Sequence, residues 1–209
     1  MEASDERIGE VIEASTGGFS AQCYQLYKLP ALGELVKCRY QDVDILAVTC
    51  NGSTSSLEPG RRPIARGYEE ASEEDLYNNN PQLKQLLRSE FSTVVVGFKR
   101  GESFYHYLPP QPVRLHSFVY RCSPDEVISF GESMEFLMLL SGVQCEVPIE
   151  ELIAACLRVM GAFHSPESDF NMRAGRKLAE IYSGDYQRLR AILARLTKWT
   201  HMHIKNWGL

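Results

Sequence analysis

Over the first 122 residues the apolar positions read as strands. RIGEVIEAS (7–15), FSAQCYQLY (19–27), ELVKCRY (34–40) and DVDILAVTC (42–50) follow in quick succession. They are rich in β-branched and aromatic residues and are separated by the turn formers TGG, LPALG and QD. After an interruption come STVVVGFKR (92–100), SFYHYLP (103–109) and RLHSFVYRC (114–122), with Lys99-Arg100-Gly101-Glu102 as a tight hairpin link between the first two. No helix separates the first four strands, so antiparallel pairing in a sandwich or small barrel is expected. The interruption carries helical signals: Ser72 precedes Glu73, Glu74 and Asp75 as an N-cap with acids in the first turn, and Asn80-Pro81 opens a second short pattern. A helical insertion is therefore predicted over 72–90, with Leu83, Leu86 and Leu87 as an apolar face that plugs the end of the barrel.

At Ser123 the period changes. Ser123-Pro124-Asp125-Glu126 is a capping box with proline at the first helical position, and Val127, Phe130, Met134 and Leu137 recur behind it at helical spacing. Pro148 opens a helix with the stripe Leu152, Ile153, Cys156, Leu157 and Met160, stopped near Gly161; a third runs from Pro166 to Ser183, and Asp185 caps a fourth. The fold class is α+β. An N-terminal antiparallel six-stranded β-barrel (1–122, insertion at 72–90) precedes a C-terminal α-helical bundle (123–209).

The 209 residues carry a net charge of -5 and suit one large or two small globular domains. No stretch approaches the roughly 20 apolar residues of a membrane helix, and the polar, acidic start MEASDERIGE is unlike a signal peptide. A cytoplasmic protein with no membrane partner is expected. Six cysteines (Cys23, Cys38, Cys50, Cys122, Cys145, Cys156) form no CxxC pair and sit in or beside apolar patterns, which is the signature of reduced, mostly buried thiols. From Arg173 onward Arg173, Arg176, Lys177, Arg188, Arg190, Arg195, Lys198 and Lys205 face only Glu180 and Asp185. Such a basic tail either contacts nucleic acid or neutralises an acidic neighbour in the same chain or a partner.

The chain lacks the phosphate-cradling GxxxxGK[ST], the dinucleotide GxGxxG after a strand, the GxSxG elbow and HExxH. No cofactor is implied. His201 and His203 place two imidazoles on one side of an extended segment, but no third metal ligand is identifiable. His106 and His116 lie within strand patterns and read as structural. Glu73-Glu74 and Glu150-Glu151 occupy first helical turns, where the macrodipole favours negative charge. No residue set points to catalysis, and a non-enzyme is expected.

One polar segment stands apart. SLEPGRRPIARG (56–67) sets Arg61, Arg62 and Arg66 among two prolines and two glycines, a stiff backbone that displays guanidiniums for bidentate pairing with carboxylate or phosphate. The acidic EEASEED (69–75) immediately downstream either folds back to pair with it or leaves it to a partner.

The run RIGEVIEASTGGFSAQCYQLYKLPALGELVKCRY, followed by VDILAVTCNGSTSSLEPGRRPIARG, resembles the HAS-barrel domain. That six-stranded barrel is shared by HerA-type DNA-translocating ATPases and, more distantly, rotary ATP synthase subunits. The shared features are an I-G-x-V first strand, a G-x-L-V third strand and a strand leaving the barrel through a proline-glycine segment. They cover roughly residues 6–67. The resemblance implies ring assembly and contact with a partner such as a nuclease. The motor is missing here, since no Walker motif follows and the helical part is too short to be one. A protein-interaction or self-assembling module is thus expected, docking to a HerA-type ATPase or nuclease supplied in trans, with Arg61, Arg62 and Arg66 as contact residues. The alternative is a nucleic-acid-binding protein using the basic C-terminal region and the same arginine loop.

Overall fold

The computed structural model of the protein describes residues 6–58, 60 and 62–197. Its strands are β1 (Arg7–Ala14), β2 (Phe19–Cys23), β3 (Leu35–Tyr40), β4 (Val43–Ser56), β5 (Leu87–Arg100), β6 (Ser103–Tyr105) and β7 (Phe118–Arg121). All neighbours run antiparallel in the order β2-β1-β7-β3-β4-β5, and β5 pairs back to β2 through Ser20–Ser92, Ala21–Phe91 and Gln22–Glu90. The sheet is therefore a closed six-stranded barrel, with β6 added to β5 as a short hairpin outside the ring. Closure removes the unpaired edges that an open sheet presents.

The alternation in each strand splits the apolar residues between two cores. Ile8, Val11, Phe19, Ala21, Val36, Cys38, Ile45, Ala47, Phe91, Val95 and Val119 come from all six ring strands and fill the interior. Leu35, Leu46, Val48, Cys50, Val94 and Val96 point the other way and meet the helices in one continuous cluster. Among the described residues five helices follow the barrel: α2 (Pro124–Phe130), α3 (Phe136–Ser141), α4 (Ile149–Gly161), α5 (Phe170–Ile181) and α6 (Tyr186–Thr197). Leu152, Ile153, Cys156, Leu157 and Met160, the stripe predicted on α4, are all buried against the barrel wall and the other helices.

Two expectations are corrected. The insertion between β4 and β5 holds α1 (Glu73–Asn79) and a 3-10 turn over Pro81–Gln85, and β5 has already begun at Leu87. Neither helical piece buries a residue, and Leu86 is exposed, so no leucine face plugs the barrel; the interior is filled by the ring strands themselves. The pattern from Val127 to Leu137 is also two helices. α2 ends at Phe130, and its C-cap Gly131 packs so closely that a Cβ there would stand 3.2 Å from His164 Nε2 and from the Phe170 ring.

A buried ion pair fixes the seam between barrel and helices. Lys37 in β3 is 1% exposed and donates to both carboxylate oxygens of Glu126 at 2.6 and 2.8 Å. The same carboxylate accepts the Ser123 N–H at 2.8 Å, completing the capping box that starts α2. Nearby, His106 stacks on Phe130 with centroids 4.4 Å apart, and Phe130 also meets Phe104 and Phe136. Gly33, at φ +83°, brings the β2–β3 connection onto α4, where a Cβ would lie 2.3 Å from the Cys156 amide nitrogen.

Candidate functional site

The β4–β5 hairpin is longer than the barrel needs. Pairing continues from Val43–Arg100 through Ser56–Leu87, while β4 becomes largely exposed after Cys50. The two strands project beyond the rim and carry the proline-glycine segment at their tip. Two bonds steady the base of this extension. Leu57 N donates to Leu86 O at 2.8 Å, and the Tyr27 and Tyr77 hydroxyls bond to each other, tying α1 to the β2–β3 connection.

The described residues of the arm between Leu57 and Ala71 have no regular structure and are almost all exposed. Gly60 turns the chain at φ +81°. Arg62 and Arg66 are both exposed, and Arg61 lies outside the described residues. Ile64, between the two arginines, is 78% exposed and Tyr68, two residues past Arg66, is 100% exposed, so an apolar and an aromatic side chain stand in solvent beside the guanidiniums. The acidic run does not fold back onto them among the described residues. Ser72 caps α1 by accepting from Asp75 N at 3.1 Å, and Glu70 accepts from Asn79 at 2.8 Å. Neither Arg62 nor Arg66 enters an ion pair with a described residue.

Elsewhere many charges are paired within the chain. A groove of about 790 Å³ runs between the start of β1, the β2–β3 connection and the end of α4. Its polar centre is Arg121, bonded to Glu6 at 3.1 Å and to Glu34, whose other oxygen accepts from Ala31 N at 2.7 Å. Four side chains of the basic tail are likewise engaged: Arg188 with Glu150 at 3.0 Å, Arg195 with Glu151 at 2.7 Å, Arg173 with Asp169 at 2.8 Å and Lys177 with Glu135 at 2.8 Å. Glu151 is set in the first turn of α4 and is held below the usual carboxylate range because the Arg195 and Arg158 guanidiniums outweigh the opposing push of burial.

The histidines fall differently from the sequence reading. His106 is just beyond β6 rather than within a strand, with a buried Nδ1 that has no partner, and burial lowers its pKa. His116 sits in a turn at φ 66° and contacts Glu10 at 2.6 Å. His164 stacks on Phe170 at 4.2 Å, and burial, then Arg173, lowers its pKa. His201 and His203 lie outside the described residues, among which no three His, Cys, Asp or Glu side chains are placed to hold a metal ion. All six cysteines are free thiols, four of them buried.

Sequence reasoning missed the Lys37–Glu126 clamp. Its one sequence signal is positional, since Lys37 lies two residues from Leu35 on the strand face that meets the helices. No helix among the described residues is long and apolar enough to cross a membrane. Compared with protein-family models and with curated proteins, the chain matches none.

Proposed function

We propose that the chain is a non-enzymatic assembly or protein-interaction module built on a HAS-like barrel, and that the arm at the tip of the β4–β5 hairpin is its contact element. The observation that carries this reading is the exposure of Ile64 and Tyr68 beside Arg62 and Arg66. Tyrosine and arginine are the residue types that dominate interface energetics once buried against a partner. Held on a projecting hairpin and free of internal ion pairs, these four side chains have a use in association and none in the fold. The engaged tail arginines favour a protein contact over a nucleic-acid one, because their charge is already neutralised by carboxylates of the same chain. A HerA-type ATPase or an associated nuclease is the partner class the barrel resemblance suggests.

Sedimentation velocity tests it, with and without a purified HerA-type ATPase and its nuclease. The expected result is a species heavier than the 23.7 kDa monomer, alone or in the mixture. That species should be lost in the combined variant Arg62→Glu, Arg66→Glu, Tyr68→Ala, whose far-UV circular dichroism stays that of the parent. A monomer under every condition overturns the reading, as does association that survives the triple variant.

A further inference from the structure

A second pocket, of about 370 Å³, lies between the β1–β2 turn, the middle of β4 and the loop joining α3 to α4. Two cysteines line it, Cys50 from β4 and Cys145 from the loop. Their placement has a local cause. Thr49 faces Thr93 and Asn51 faces Ser92 across the β4–β5 ladder, so Cys50 is the extra residue of a β-bulge. A bulge re-aims the side chains beside it. Asn51, which strict alternation would turn toward the barrel interior, instead donates from Nδ2 to Glu146 Oε2 at 2.7 Å. Cys50 and Asn51 therefore meet the consecutive residues Cys145 and Glu146, and both thiols belong to the same packed cluster.

We propose that Cys50 and Cys145 form a dithiol site that closes to an intramolecular disulfide, tying the α3–α4 loop to the barrel wall. Burial first, and then the neighbouring Cys145, push the Cys50 thiol up to about 11. Cys145, whose S–H donates to Val147 O at 3.0 Å, is the more accessible of the two, and that access makes it the first to react. Deprotonated, it attacks one sulfur of a small-molecule disulfide and expels one thiolate. Cys50, giving its proton to water, then attacks Cys145 Sγ and expels the second thiolate. Two protein thiols are oxidised and one small disulfide is reduced to two thiols. Because the thiolate is the nucleophile and burial raises both thiols, the reaction is slow at neutral pH and accelerates about tenfold per pH unit above it. Cys38, Cys122 and Cys156 are pushed higher still, Cys38 and Cys156 by burial in the barrel interior and beneath the helices. None of the three lines this pocket, and each stays reduced.

The experiment treats the native full chain with oxidised glutathione at pH 8.5, quenches it by acid alkylation and maps the peptides by mass spectrometry. The expected product is a Cys50–Cys145 cross-linked peptide with four alkylated cysteines remaining, and Cys50→Ser should stop the reaction at a glutathione adduct on Cys145. A wild-type protein that accumulates the Cys145 adduct without cross-linking overturns the proposal, as does a cross-link through any other pair. The wild-type map decides the matter by itself, so poor folding of the serine variant leaves the test intact.

Discussion

The seam beneath α2 and the arm beyond the barrel rim treat charge and aromatic surface in opposite ways. At the seam Lys37 is buried yet carries two hydrogen bonds to Glu126, and His106, Phe104, Phe130 and Phe136 stack edge to face and face to face. At the arm Arg62, Arg66, Ile64 and Tyr68 are left in water. Buried charge survives only when its partner is fixed, because the desolvation of each ion must be offset by geometry that neither can leave. The seam therefore locks the helices to the barrel. The arm has few buried contacts of its own and belongs to the low-stability end of the molecule, where binding segments are drawn from.

The largest expected effect is at the clamp. Glu126→Ala removes both hydrogen bonds from the buried Lys37 ammonium to its carboxylate and also the capping box, so chemical denaturation should show a loss of about 3–5 kcal/mol. The double variant Lys37→Met, Glu126→Leu should recover much of that loss. If it does not, the pair contributes more than compensation for its own burial. Next comes Gly33→Ala, which forces a positive φ on alanine and drives its Cβ into the α4 backbone. A cost of about 1–3 kcal/mol is expected from the backbone conformation alone, with more from displaced helix packing, read as a lower melting temperature.

A smaller effect is pH-dependent. His106 and His164 are both held below their ordinary 6.5 by burial, so the unfolded chain binds protons more readily than the folded one. Their contribution to stability is complete above pH 6.5 and declines as pH falls below it. Melting temperatures between pH 7.5 and 5 should fall less steeply in His106→Phe than in the parent; an unchanged slope removes this histidine from the acid response. Smallest of all, Arg62→Ala and Tyr68→Ala should change stability by less than about 0.5 kcal/mol, as surface substitutions away from packed features do. A clear destabilisation there would mean that the arm belongs to the folded unit, and the contrast with the seam would fail.

The barrel was legible because its strands alternate: Val36 and Cys38 turn inward while Leu35 and Lys37 turn to the helices, and the periodicity alone separates the two sets. What escaped was where strands outrun their apolar pattern. NGSTSS (51–56) reads as turn sequence yet forms the far half of β4, since its backbone is held by Leu87–Ser92 and not by its own side chains. The α2–α3 break was hidden for the opposite reason. Met134 and Leu137 are buried at helical spacing from Phe130, but the close approach of Phe170 and His164 to Gly131 depends on a partner 30 or more residues away in the chain. The arginine arm was visible as composition and Ser72 as the cap of α1; that Glu70 would accept from Asn79 and not pair with an arginine was not, because exposed ion pairs are weak and either partner would serve.

The last ring strand, β7, sits between β1 and β3, pairing Val119 with both Gly9 and Cys38. Until it leaves the ribosome the cylinder lacks a stave, and the facing rims of the first and third strands stay unzipped through the making of everything between. Such distant pairings are slow to form and leave sticky strand surface waiting. A chain cut short before residue 118 would thus hold most of the barrel's interior residues and still be an open sheet, prone to capture the rim of another molecule.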